Sequence, residues 1–254
     1  MDITTNTNEG VLITVNSQQN KVGPSNWISY NGTHGVRIDT PLSYYNRIYE
    51  NYIFQNDGKG ISLTNGSNNE IDPPVFTSDP TDYETVSGTA CPGCTVELFF
   101  NMDDDGEGML FYQNTAASGA GDWSINIPLP YYPYLTATST DASNNTSEFS
   151  AVFTLLVPMI DPSTSLAPDR TIASPGEILS YTLTMTNTGT ASTTGIYTNT
   201  IPAETSWGGN WDVSVGTLDW QESNNRFVWT GTMEVDTPII ISYQVRLNDD
   251  LENG

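Results

Sequence analysis

Apolar residues in the first 71 positions recur on two scales. Within GVLITV (Gly10–Val15), GVRIDT (Gly35–Thr40) and GISLTN (Gly60–Asn65) they alternate with other residues, the pattern of a short strand with one buried face. These segments start 25 residues apart. Between them lie NKVGPSNWISYN (Asn20–Asn31) and NRIYENYIFQN (Asn46–Asn56), and a third copy opens at NNEI (Asn68–Ile71). Short strands separated by Asn or Gly at a period of about 20–30 residues predict a solenoid. Its alternating apolar residues point inward, and its turn asparagines stack in ladders between coils. About two and a half coils are present, whereas a solenoid needs several repeats and polar end caps.

The "NxI…N.I..N..GI.L" texture of residues 1–71 resembles the coils of a right-handed parallel β-helix, as found in secreted polysaccharide-active and surface proteins. That resemblance implies a chain that enters partway along a longer β-helix. IDPPVF (Ile71–Phe76) then breaks the period, because tandem prolines stiffen and extend the backbone. Residues 72–157 become a run of short strands (ETVSGTA, CTVELFF, GMLFYQNT, DWSINIPL, YLTATSTD, EFSAVFTL) with turns at Cys91–Cys94, Ala117–Asp122 and Asp141–Ser147. Such spacing predicts a sandwich. VSGTACPGCTVELF, SGAGDWSINIPL and YLTATSTDASNNTSEFS resemble a bacterial immunoglobulin-like domain of the kind that follows β-helices.

A second linker, Met159–Asp169, leads to residues 158–254 as a third unit. PGEILSYTLTMTNTGTASTTGIYTNTIP (Pro175–Pro202) resembles a tandem-repeat domain of large prokaryotic surface proteins, with Asn199 where that family has Asp. The unit stops at Leu251–Gly254, where the family continues for one more strand. The resemblance thus implies a missing strand and strand exchange with a neighbouring copy. The expected fold is all-β: β-helix coils at 1–71, then immunoglobulin-like sandwiches at 72–157 and 158–254.

Composition narrows the function. The chain carries 30 acids against 7 bases, a formal charge of −23, with only 15% of residues charged. Cations are missing, and Thr, Ser, Asn and Gly fill the polar positions. Such a surface cannot release counterions from phosphates, which excludes nucleic acid, and it disfavours anionic membranes. No apolar run reaches membrane-spanning length, and MDITTNTNEG is not a secretory leader. One His and two Cys leave no zinc or iron–sulfur set. By segment the charges are −2, −12 and −9, and residues 72–157 contain no cation at all. Acids there cannot be paired internally.

Three constellations carry candidate chemistry. Asn101, Asp103 and Asp105 with Gly106 and Glu107 match the first half of a calcium loop. Tyr112 stands where the bidentate Glu would be, and the same residues also read as an acidic hairpin turn. Cys91 and Cys94, in a turn between strands, point to a local disulfide in an oxidising compartment. On the coils, Arg37 and Asp39 share a strand face and accompany Glu50, Asp57, Lys21, Arg47 and Lys59; they equally read as surface pairs. His34 occupies a Gly-Thr-His-Gly turn. Tyrosine clusters (Tyr44, Tyr45, Tyr49, Tyr52 with Phe54; Tyr131, Tyr132, Tyr134) offer glycan platforms or packing surface, and Trp207, Trp211, Trp220 and Trp229 are expected to fill the last domain's core and loop. The only lysines, Lys21 and Lys59, lie in the coils, which excludes a lysine–asparagine crosslink inside either later domain.

No acid, base or nucleophile set assembles in the sequence. The expected function is a stalk, spacer or adhesin segment of a secreted or cell-surface prokaryotic protein, without enzyme activity or a required cofactor, calcium being optional. Glycans or other surface proteins are the expected partners. The alternatives are the non-catalytic C-terminal region of a polysaccharide lyase or hydrolase, and a glycan-binding module.

Overall fold

The structure, a computed structural model, describes residues 1–82, 84–127, 132–160 and 165–250. The architecture is all-β apart from two short 3-10 turns. The chain divides into two compact units, Met1–Leu155 and Leu156–Gly254.

The first unit opens with parallel coils. Strands β1 (Asp2–Thr4), β2 (Val11–Ile13) and β3 (Lys21–Val22) belong to one coil. Next come β4 (Trp27–Ser29), β5 (Val36–Ile38) and β6 (Arg47–Ile48), then β7 (Tyr52–Phe54) and β8 (Ile61–Leu63). They stack as three parallel sheets, β1–β4–β7, β2–β5–β8 and β3–β6. Asp2 pairs with Trp27 and Trp27 with Tyr52, so the sequence period of 25 becomes the register. Ile28 and Ile53 stack in one row, Val36 and Ile61 in another, and all four are buried. Gly35 and Gly60 open their strands because the coils touch there. A Cβ on Gly35 would lie 2.7 Å from the Gly60 carbonyl oxygen, and one on Gly60 would lie 2.7 Å from the Phe149 ring.

Asparagine ladders tie the coils together. Nδ2 of Asn6 donates to Oδ1 of Asn31 at 2.8 Å, and Nδ2 of Asn31 to Oδ1 of Asn56 at 2.8 Å. Asn20–Asn46 and Asn26–Asn51 repeat the contact at other corners. In each pair the backbone N–H of the first residue donates to the same oxygen. The residue before each donor or acceptor in these ladders (Thr5, Gln19, Ser25, Tyr30, Tyr45, Glu50, Gln55) is left-handed, with φ between 50° and 64°. That conformation costs a non-glycine residue about 1 kcal/mol or more, and the ladder bonds offset it.

Seven further strands form the first sandwich. They are β9 (Val75–Phe76), β10 (Thr85–Thr89), β11 (Thr95–Asn101), β12 (Leu110–Ala116), β13 (Asp122–Asn126), β14 (Tyr134–Thr140) and β15 (Phe153–Thr154). Sheets β13–β10–β9 and β12–β11–β14–β15 enclose Val86, Leu98, Phe100, Trp123, Ile125 and Leu135. In β11 and β14 the opposite face is buried too: Glu97, Phe99, Thr136 and Thr138 are covered. That second face meets the last coil.

Unit two holds β16 (Ser165–Pro168), β17 (Ile178–Met185), β18 (Thr193–Thr200), β19 (Thr205–Val213), β20 (Thr217–Gln221), β21 (Arg226–Met233) and β22 (Ile239–Leu247). They form sheets β16–β17–β22–β19 and β18–β21–β20 around Leu183, Phe227, Trp229, Ile241 and Val245. Met159 in the expected linker is pinned to this unit, its N–H donating to the buried Asn187 side chain at 3.0 Å. Trp229 fills the core, and Trp207 stacks on Trp220 at 4.6 Å beside it. Trp211 departs from expectation: it stands on β19 with 48% of its surface exposed. The expected stop at residues 251–254 lies outside the described residues.

Replacing Asn31 by Ala removes acceptors from Asn6 and donors to Asn56 and to the Ile3 carbonyl. Leaving several buried groups unpaired is expected to destabilise unit one by about 3 kcal/mol. Asn65→Ala, which loses one exposed bond to Asp39, is expected to cost under about 1 kcal/mol, and urea titration of both variants against the wild type checks the two values.

Candidate functional site

The densest polar constellation is the junction between the last coil and the first sandwich. A coil stack that stops leaves backbone N–H groups and asparagine amides without the next coil. Here the sandwich supplies their acceptors. Tyr45 N–H donates to Oδ1 of Asn145 at 2.6 Å, and Ile48 N–H to Oγ1 of Thr146 at 3.0 Å. Glu50 N–H donates to Oε2 of Glu97 at 2.8 Å, and Leu63 N–H to Oε1 of Glu148 at 2.9 Å. Ile53 and Gly108 exchange two backbone bonds as an antiparallel bridge. Asn56 donates from N–H and Nδ2 to the two oxygens of Glu107, at 3.0 and 2.9 Å. The Glu107 carboxylate therefore stands where the next ladder asparagine would be. Phe149 lies beneath, packed on the apolar core of the coils.

Local structure explains how the sandwich reaches. Asn101 ends β11 buried, its Oδ1 accepting Met109 N–H at 2.8 Å and its Nδ2 donating to Thr136 at 3.1 Å. These bonds close the turn and direct Glu107 and Gly108 at β7. A Cβ on Gly108 would lie 2.4 Å from the Phe149 ring, so the close approach requires glycine. On the other side Asp141 braces Asn145, accepting from its N–H and from its Nδ2.

Two carboxyls pay electrostatically for this position. Burial pushes Glu97 up to about 7, opposed by the Glu50 N–H it accepts, and its Oε1 has no hydrogen-bond partner. Burial likewise raises Glu107 to about 7, against the bonds from Asn56.

The sequence-derived candidates fall as follows. Of the four residues proposed for calcium, Asn101 and Glu107 are buried and bonded as above, while Asp103 and Asp105 lie exposed in the turn. Partial desolvation, then the neighbouring Asp105 charge, raises Asp103. Among the described residues no group of three or more His, Cys, Asp or Glu side chains converges to hold a metal. What the turn offers a cation is its exposed run Asp103–Asp105. Cys91 and Cys94 are joined by a disulfide. Arg37 pairs with Glu9 at 3.2 Å and Asp39 at 3.3 Å. Asp39 also accepts from Asn65 and Thr64, which hold it below the usual carboxylate range. Nδ1 of His34 accepts Lys59 N–H at 2.9 Å, and Lys59 Nζ pairs with Glu148 at 2.5 Å. Each is occupied in structure.

Tyr44 packs edge-on against Tyr45, while Tyr52 and Phe54 flank the half-exposed Trp27 at 5.4 and 5.6 Å. Of the second tyrosine cluster, Tyr131 lies outside the described residues. The cap residues Glu97, Asn145, Thr146, Glu148 and Phe149 were not singled out from the sequence. The available signal was Glu97, a charge in the apolar run CTVELFF on the face opposite Val96, Leu98 and Phe100.

No protein-family model matches the chain, and no curated protein matches it. Among solved structures it is similar to BcpA, the major pilin subunit of Bacillus cereus, at 12% identity and TM-score 0.31, covering 67% of this chain and 60% of that one. A variant of the same pilin gives 13% and 0.32, with 65% and 57% covered. A glycosyl hydrolase family 2 member from Bacteroides cellulosilyticus gives 17% and 0.19, with 67% and 22% covered. The chain thus spans less than two thirds of each of these proteins, and likeness at this level assigns neither family nor function.

The raised carboxyls fix a pH dependence. A group whose folded pKa lies above its unfolded value of 4.5 stabilises fully below 4.5, and that contribution is lost as pH rises through about 7. Unit one is expected to melt lower at pH 8 than at pH 5. Glu97→Gln should recover up to about 3 kcal/mol at pH 8 and under about 1 kcal/mol at pH 5. Glu107→Ala, which strands two Asn56 donors, should cost about 2–4 kcal/mol at pH 5. Thermal melts of the three proteins at both pH values check these outcomes.

Proposed function

We propose that this chain is a structural segment, a stalk or spacer, of a large secreted or cell-surface prokaryotic protein. The observation that carries this reading is the hydrogen-bonded continuity of unit one. The ladder Asn6–Asn31–Asn56 runs through the coils and ends on a sandwich carboxylate, so tension on either part is borne by many parallel bonds. The local Cys91–Cys94 disulfide supports an oxidising, extracellular setting. The acids that would have to carry catalysis are committed: Asp39 to Arg37, Thr64 and Asn65, Glu107 to Asn56.

Assembly with a neighbouring copy fits one edge. Strand β18, Thr-Thr-Gly-Ile-Tyr-Thr-Asn-Thr, carries no charge, and among the described residues it pairs only with β21. An uncharged eight-residue edge with Ile196 75% exposed is a template for strand addition.

Single-molecule pulling is expected to rupture unit one in one event that releases coils and sandwich together. Coils that unravel first at lower force would remove the mechanical role, and new chain ends from a panel of polysaccharides would favour an enzyme. Sedimentation should show concentration-dependent association of the wild-type chain that Ile196→Lys abolishes; a wild-type chain monomeric at all concentrations would contradict the edge pairing.

A further inference from the structure

Cations are scarce in this chain, and most are spent. Arg37 holds Glu9 and Asp39, Lys59 holds Glu148, Arg170 holds Asp169 and Arg246 holds Asp249. Arg226 donates to Gln221. Like Arg226, Lys21 and Arg47 have no carboxylate within ion-pair distance among the described residues, but these two stand next to each other. They are register partners in the parallel pair β3–β6, so strand spacing of about 4.8 Å sets like charges side by side. In a chain of 30 acids and 7 bases, two adjacent unpaired cations are the least expected arrangement.

The surroundings match the charge. Lys21 and Arg47 share a cleft of about 400 Å³ with Gln19, Tyr45, Ser143 and Asn144. Every one of these side chains can donate a hydrogen bond, and none is a carboxylate. The Arg47 guanidinium lies over the Tyr49 ring, 4.5 Å from its centroid, which fixes its position. Its Nε is buried and has no acceptor. Asp141, in the same loop as Ser143, is turned to other donors: Ser143 N–H, Asn145 N–H and Asn145 Nδ2. No acid lines the cleft; the carboxyl that feels Arg47 is the buried Glu97, outside the lining, which the Arg47 charge draws down against the larger effect of burial.

We propose that this cleft binds an oxyanion, the carboxylate or phosphate of a small ligand, between Lys21 and Arg47, with the amide and hydroxyl groups of Gln19, Tyr45, Ser143 and Asn144 around it. The cleft leaves room beside the ion for the polar body of a small ligand. The site stands independently of the mechanical role proposed above.

Calorimetric titration of the full chain, in a zwitterionic buffer containing chloride alone, tests this with phosphate, sulfate, glucuronate and glucose as probes. Saturable binding of at least one anion is expected, with glucose silent. Lys21→Gln and Arg47→Gln should each weaken it by roughly tenfold, Lys21→Arg should restore it, and added salt should weaken it further. Tighter glucuronate than phosphate identifies a carboxylate ligand; the reverse identifies a phosphate ligand. The proposal is overturned if no anion saturates at millimolar concentration, if glucose binds equally, or if both Gln variants bind as the wild type while retaining its melting temperature.

Discussion

A stack of parallel coils cannot simply stop. Each coil satisfies its predecessor's backbone N–H groups and asparagine amides, so the last leaves a full set of donors and an apolar core facing outward. A buried donor left unpaired costs about 1–3 kcal/mol, and six backbone donors at the end of this stack are met by the sandwich: Tyr45, Ile48, Glu50, Ile53, Asn56 and Leu63. The rest of unit one is arranged around that requirement. It explains why β11 and β14 are buried on both faces, why Gly108 lacks a side chain, and why Phe149 leaves the sandwich to cover the Ile53–Ile61 core.

The same requirement accounts for the charge imbalance. Residues 72–157 carry acids and no cations, so internal salt bridges are impossible there. Glu97, Glu107 and Glu148 are turned instead to N–H groups of the coils, and Glu148 also to Lys59. A carboxylate suits this place because it is acceptor-only and, like the asparagine oxygen it replaces, can take two donors at once. The cost is desolvation, visible as the raised pKa of Glu97 and Glu107. Mild acidity relieves it by protonating both.

The repeat was legible because it is local and periodic. The 25-residue spacing gave the coil register, and Asn6, Asn20, Asn31, Asn46 and Asn56 fell at corners where asparagine ladders form. The left-handed corners were not legible. Tyr30, Tyr45 and Gln55 are residue types with no preference for φ above zero, and only the stack imposes it. Asn101–Glu107 has calcium-loop spacing in sequence, yet spacing carries no information about a distant backbone. In the fold Asn101 closes the turn and Glu107 accepts from Asn56, which is 51 residues away. Trp211, expected in the core or its loop, shares the face of its partner Tyr243 yet stays 48% exposed, because it sits on the edge strand β19 just past an irregularity in the pairing with β22.

The central claim is that the sandwich is the cap of the coil stack, so that the two unfold as one. Native-state hydrogen exchange across a denaturant series measures this residue by residue. The amides of Asn31, Ile53 and Asn56 in the coils should open with the same free energy and denaturant dependence as Leu98 in the sandwich core. Coil amides that exchange through a separate opening, at markedly lower free energy than Leu98, would contradict it.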